Sequence, residues 1–239
     1  MSSNGGCAVL NSGALKCWGK NDFGQIQPGT TTSQTTPFEV VAGGVTDVAL
    51  MDSSSCYLNQ AGEVRCWGRG ANGELGQGNT TNLLSIPSDP ILTDVQSIFA
   101  GGRQQSSQAC AIKTNGDLYC WGSGFGLGLT STPQKMLEGA KKVSFGGYNS
   151  VCAIVGDQRS LKCWGENSSG EMGDGTKIAR SFADGPVTVV TEGVKDVSSG
   201  PGYNCFVMQE SGEMKCMGGK AEVFASGDST KFAKTVFGL

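Results

Sequence analysis

The sequence predicts an all-β fold, a β-propeller of five four-stranded blades. Three observations carry this. A Cys-turn-Cys hairpin recurs along the 239 residues. Its copies absorb all 10 Cys and all 4 Trp of the chain. No stretch keeps a sustained helical period, so little or no helix is expected.

The third copy shows the unit most plainly: Cys110-Ala-Ile-Lys-Thr-Asn-Gly-Asp-Leu-Tyr-Cys120-Trp121-Gly122. Asn115-Gly116 between two β-type runs is a hairpin signal, because Gly takes φ > 0 without a steric cost. With Ile112 opposite Leu118, Cys110 falls opposite Cys120. Opposed Cα atoms in an antiparallel pair lie roughly 4.5–5.5 Å apart, within reach of a disulfide. A near-constant spacing, one residue longer in the last two, pairs Cys7 with Cys17, Cys56 with Cys66, Cys152 with Cys163 and Cys205 with Cys216. Trp18, Trp67, Trp121 and Trp164 each follow the second cysteine and are expected to be buried in equivalent places. Met217 stands there in the last copy, which is expected to pack more loosely because Met fills less volume.

A Gly-marked turn region, largely lost in the fifth copy, follows the first four hairpins: Phe23-Gly24-Gln-Ile, Asn72-Gly73-Glu-Leu-Gly76, Phe125-Gly126, and Ser169-Gly170-Glu-Met-Gly173. No Gly-Lys-Ser/Thr follows, so none is a phosphate loop. A polar connection then leads to a β-type run such as Phe38–Val41 or Pro186–Val190. A further run precedes the next cysteine: Val48–Leu50, Ile98–Ala100, Val143–Phe145 and Val197–Ser199. Each copy thus supplies about four strands in roughly forty to fifty residues, the signature of a propeller blade. Val236-Phe-Gly-Leu239 matches Val143-Ser-Phe-Gly146, which precedes the Cys152 hairpin. The C-terminal strand is therefore expected to join the Cys7 hairpin and close the ring, making residues 1–239 a single domain without an exposed edge.

Composition bounds the function. A net charge of −3 gives no basic face for nucleic acid. No run is long enough to span a bilayer. The start lacks the charged and apolar regions of a signal peptide. Paired cysteines nonetheless point to an oxidising compartment, extracellular or an organelle lumen, with the targeting segment absent from this chain.

These residues resemble a known family. Cys-Ala-Ile/Val … Gly-x-Leu-x-Cys-Trp-Gly, then Gly-Glu-Leu/Met-Gly-x-Gly, is similar to the regulator-of-chromosome-condensation repeat, in its secreted, cysteine-paired form. The resemblance covers almost the whole chain and is strongest in the second and fourth copies. It implies a β-propeller, most often seven-bladed in the family. Family members include a nuclear guanine-nucleotide exchange factor, secreted β-lactamase inhibitors and many interaction modules, so the fold does not fix the function. The family often carries His shortly before the first strand of the hairpin; this chain has no His, with Asn149 and Asn204 near that place.

Absence of His removes Ser-His-acid and Cys-His nucleophiles. With no Cys-x-x-Cys either, no zinc spacing is present. Neither a catalytic set, a metal nor a cofactor is expected, and the chain reads as a non-enzyme. Asn79-Thr-Thr81 and Asn167-Ser-Ser169 fit the glycosylation pattern. The candidate partner-binding residues are Phe23 and Phe125, at the position before the turn Gly, and Arg103, Tyr148 and Tyr203, in the loop before the hairpin. Exposed aromatic and Arg residues are the usual anchors of protein interfaces. The expected function is a protein-protein interaction module, or an accessory subunit of a larger assembly. A lectin-like carbohydrate-binding propeller is the alternative, and a nucleotide exchange factor a further one.

Overall fold

The structure is a computed structural model that describes residues 5–101, 107–124, 128–146 and 149–219, with the backbone of 234–237. The described chain is all-β apart from one 3-10 turn, Phe182–Asp184, capped reciprocally by Ser181 and Asp184. It forms two compact units, residues 1–123 with 129–135, and 124–128 with 136–239.

The first unit holds three antiparallel sheets. β1 (Gly5–Val9), β2 (Leu15–Gly19) and β3 (Gln34–Val41) form the first; β4 (Val45–Leu50), β5 (Ser54–Asn59) and β6 (Val64–Gly68) the second. β7 (Val95–Gly101), β8 (Gln108–Lys113), β9 (Leu118–Ser123) and β10 (Leu129–Leu137) pair in that order in the third. The second unit holds two four-stranded sheets. One is β11 (Ala140–Phe145), β12 (Ser150–Val155), β13 (Ser160–Gly165) and β14 (Val187–Val190). The other is β15 (Val194–Gly200), β16 (Tyr203–Met208), β17 (Met214–Gly218) and β18 (Lys234–Phe237).

The hairpins follow local turn chemistry. Gly116 has φ +87°, its N–H donates to the Lys113 carbonyl at 2.8 Å, and Ile112 faces Leu118. Cys110 therefore faces Cys120, with Cα atoms 4.0 Å apart. All five expected disulfides are present, one per hairpin. The longer fourth turn has two residues at positive φ, Gly156 at 73° and Arg159 at 58°.

Two strand expectations are corrected. The second sheet has three strands, and its outer edge holds only the bridges Val64↔Leu92 and Gly68↔Leu83. Pro87 and Pro90 lie between them, and proline has no N–H to continue a ladder. The C-terminal strand does not join the Cys7 hairpin. β18 pairs with β17 instead, and the first sheet has three strands, with nothing paired to the outer side of β1 among the described strands. The register gives the reason. Met214 faces Phe237 and Lys215 faces Thr235, with a bulge between. Leu161↔Val190 and Lys162↔Thr188 have the same bulge, as do Leu15↔Val41 and Lys16↔Glu39. Thr235-Val236-Phe237 thus has the pattern of a last strand, and takes that place beside its own hairpin.

In the first, third and fourth sheets burial falls from the middle strands to the last. β5, β8 and β12 are buried on both faces almost throughout, whereas β3 and β10 are mainly half-exposed or exposed. The cores form between consecutive sheets. Leu15, Ile26, Val45, Tyr57 and Trp67 make one; Leu58, Val64, Leu75, Val95, Ile98 and Trp121 the next. In the second unit Leu161, Met172, Val197, Phe206 and Met217 make another. Ile26, Leu75 and Met172 are the apolar residues of the Gly-Glx-apolar turn, so the turn itself plugs the core.

Trp67, Trp121 and Trp164 are buried, at 0%, 0% and 1% exposure. Trp18 is not equivalent, being half-buried. It lies over Gly6, where an added Cβ would meet its ring at 2.8 Å, whereas Trp67 and Trp121 reach the turn of the preceding copy at Gly24 and Glu74. The looser packing expected at Met217 is not found. Met217 is 0% exposed, and its Sδ would lie 2.6 Å from a Cβ on Gly173.

Candidate functional site

In the first and fourth copies the turn region after the hairpin is built by two side chains. In the first copy Asn21 is fully buried. Its Oδ1 accepts from the N–H groups of Ile26 and Gln27 at 2.8 and 3.0 Å. Its Nδ2 donates to the carbonyls of Gln27, Thr30 and Thr32 at 3.1, 2.8 and 3.2 Å. One carboxamide thus satisfies five backbone groups of an irregular loop that has no ladder to do so. Asn167 repeats this in the fourth copy, accepting from Met172 N–H at 2.9 Å and donating to the Thr176 and Ile178 carbonyls at 3.2 Å each.

The second side chain is the Glx after the turn Gly. Gln25 Oε1 accepts from Phe23 N–H at 2.9 Å, Glu74 Oε2 from Asn72 N–H at 2.6 Å, and Glu171 Oε2 from Ser169 N–H at 2.9 Å. The residue before the Gly is therefore held by its backbone, while its side chain stays half-exposed: Phe23, Asn72 or Ser169. Burial raises the carboxyl pKa of Glu74 above its ordinary value, against the hydrogen bonds from backbone N–H and the Arg69 charge. Burial likewise raises Glu171, where the nearby Glu166 charge adds to the effect.

The backbone carbonyl of this Glx receives a donor from the following sheet. Ser55 Oγ donates to Gln25 O at 2.7 Å, Trp121 Nε1 to Glu74 O at 3.0 Å, and Asn204 Nδ2 to Glu171 O at 2.8 Å. Trp67 Nε1 uses the neighbouring Gly24 carbonyl at 3.1 Å. The turn is thereby welded to the next blade, and each half-exposed side chain stands on a rigid base.

Of the expected anchors, Phe23 takes this place in the first unit. Tyr203 opens β16 in the second and is half-buried. Its ring lies on Gly200, its ladder partner, where an added Cβ would meet Cζ at 2.3 Å; part of its surface is therefore used within its own sheet. Arg103, Phe125 and Tyr148 lie outside the described residues. Sequence reasoning missed Asn21, Asn167 and the Glx residues. The signal was the repeated Asn-x-x-Gly-Glx of Asn21–Gln25 and Asn167–Glu171.

The second unit also has an open cleft of about 440 Å³. Turn residues of its two hairpins line it, Gln158, Met208 and Glu210 among them, with Glu192. Among the described residues no three His, Cys, Asp or Glu side chains are grouped to hold a metal ion. No helix among them is long and apolar enough to cross a membrane.

Residues 1–25 match the family model of the regulator of chromosome condensation (RCC1) repeat. The solved structure of Kap60 bound to yeast RCC1 (Prp20) is similar in fold, with a TM-score of 0.77 at 17% identity over 98% of this chain and 59% of that chain. Human WBSCR16 gives 0.76 at 17% identity, over 99% of this chain and 65% of that one. The CRINKLY WD40 ectodomain of the Arabidopsis thaliana receptor kinase ACR4 gives 0.53 at 18% identity, over 100% and 65%. This chain therefore spans less than two thirds of the length of each. The resemblance read from the repeats is met in sequence over the first copy and in fold over nearly the whole chain. The fold is that of RCC1-like β-propellers.

Proposed function

We propose that this chain is a disulfide-stapled β-propeller module, one domain over residues 1–239, that docks another protein through its loops. It works as a non-enzymatic interaction module or as a subunit of a larger assembly, in an extracellular or lumenal compartment. One observation carries the reading: the same Glx hydrogen bond fixes the backbone in three turns while the side chain presented there varies. Phe23, Asn72 and Ser169 share one backbone hydrogen bond and differ in chemistry. Rigid, divergent loops suit one asymmetric protein partner, because preorganisation lowers the ordering cost of binding. A lectin with one sugar site per repeat needs the same contact residue in every copy. Support also comes from yeast RCC1, a similar fold seen bound to a protein, Kap60, and from a similar fold in an ectodomain. Nucleotide exchange is the weaker reading, because the nuclear members are not built around paired cysteines.

Phe23, Arg103, Phe125, Tyr148 and Tyr203 are the proposed anchors. Native co-purification with mass spectrometry would identify the partner. Replacing a true anchor by Ala is expected to cost roughly 2 kcal/mol or more of binding while the five disulfides still form. Unchanged binding by all five Ala variants would reject these anchors. One glycan bound per repeat would favour the lectin.

A further inference from the structure

The two glycosylation patterns have opposite environments. Asn167 is 0% exposed. Its Nδ2, the atom that would carry a sugar, donates to Asp174, to Thr176 and to the Ile178 carbonyl. A glycan there removes one of the two amide hydrogens that hold the loop and forces a large polar group into a closed interior. The folded turn cannot form around it.

Asn79 is the reverse. Asn79, Thr80 and Thr81 are all exposed. Asn79 Oδ1 accepts from Thr81 N–H at 2.9 Å, while Nδ2 makes only a long contact, 3.4 Å, to the Gln77 carbonyl. The difference traces to one residue. In the second copy Gly70 replaces the buried Asn, so no carboxamide draws the loop inward. The loop instead closes directly onto Gly70, where an added Cβ would sit 2.1 Å from the Thr81 carbonyl oxygen, and Gly70 N–H donates to Asn82 Oδ1 at 2.9 Å. On either side the segment is pinned, by Gly78 N–H to Ser131 O at 2.7 Å and by the Leu83–Gly68 pair at 2.7 and 2.8 Å. A three-residue acceptor is thus displayed outward from a fixed base, and a glycan on it displaces nothing in the core.

We propose that Asn79 is an N-glycosylation site and that Asn167 is not. This rests on the oxidising-compartment reading. The donor is a lipid-linked oligosaccharyl diphosphate. A bond forms between the sugar C1 and Asn79 Nδ2, and the C1–O bond to the diphosphate breaks. The lipid diphosphate leaves with the electron pair, and one amide proton is lost to base. The modification marks the loop after Gly78 as solvent-facing in any assembly, and directs partner docking away from it.

The test is peptide mapping of the full chain, both from its natural source and after secretion from cultured eukaryotic cells. Cysteine pairing is read in the same digest. The expected result is five intact disulfides, a glycan on Asn79 that an amidase releases to leave Asp, and unmodified Asn167 in the folded protein. Asn79→Gln and Thr81→Ala should each abolish the modification, while Asn167→Gln should leave it in place on whatever protein is secreted. Intact disulfides with unmodified Asn79, or a glycan on Asn167 of folded protein, would overturn the proposal. Free thiols in the natural protein would instead overturn the compartment reading beneath it.

Discussion

Asn204 and Met217 face each other across β16 and β17, and together they do the work of a tryptophan. In the third sheet Ala109 faces Trp121, which supplies both core volume and an indole N–H to the Glu74 carbonyl. In the fifth the two tasks are divided. Met217 fills the space against Gly173, and Asn204 donates to the equivalent carbonyl, that of Glu171. A buried carbonyl demands a donor whichever strand provides it.

Asn204→Ala should therefore cost about 1–3 kcal/mol, because Glu171 O loses its donor while buried. Met217→Trp alone should also destabilise by overfilling a slot already lined by Asn204. The double variant should lose less than the sum, since it recreates the Ala109–Trp121 pair. Urea denaturation of the four proteins checks this. Strictly additive losses would show that the two residues are not partners.

Tryptophan quenching should be confined to one residue. Trp67, Trp121 and Trp164 are at most 1% exposed, while Trp18 is half-buried. Acrylamide should quench a minor share of the folded emission, and Trp18→Phe should remove that share. Equal quenching of the remaining three would contradict their burial.

Glu171→Gln should flatten the dependence of stability on pH. The folded pKa of Glu171 is raised by burial and by Glu166, so the folded protein holds this proton more tightly than the unfolded chain. Its contribution is fully present below the unfolded carboxylate pKa and is lost as pH rises through the folded value. Gln25 shows that a carboxamide makes the same bond, to Phe23 N–H. The variant should thus gain on the parent toward neutral pH and converge with it in acid. Parallel profiles of the two proteins would refute the assignment.

Replacing Cys110 and Cys120 together by Ser should cost about 2–3 kcal/mol, the chain-entropy value for so short a loop. The register should survive, because Gly116 and the Ile112–Leu118 pair still set it. Thermal melts measure the loss, and a changed near-ultraviolet spectrum of Trp121 at low temperature would show that the bond sets the register after all.

What the sequence determined alone was local. Cys110 and Cys120 are 10 residues apart, and between them a turn residue and a two-residue strand period leave one register. The same logic reached every disulfide, the runs inside β4, β7, β11 and β15, and the near-absence of helix. The varied position before the turn Gly was also legible, but its support was not. Asn167 and Glu171 read as ordinary polar loop residues until the next sheet covers them, since burial belongs to the neighbour and not to the residue. The fate of the C-terminal strand, the half-exposure of Trp18 and the contrast between Asn79 and Asn167 were decided in the same way. Each depends on which segment lies alongside, and packing settles that through contacts far apart in the chain, which no spacing rule encodes.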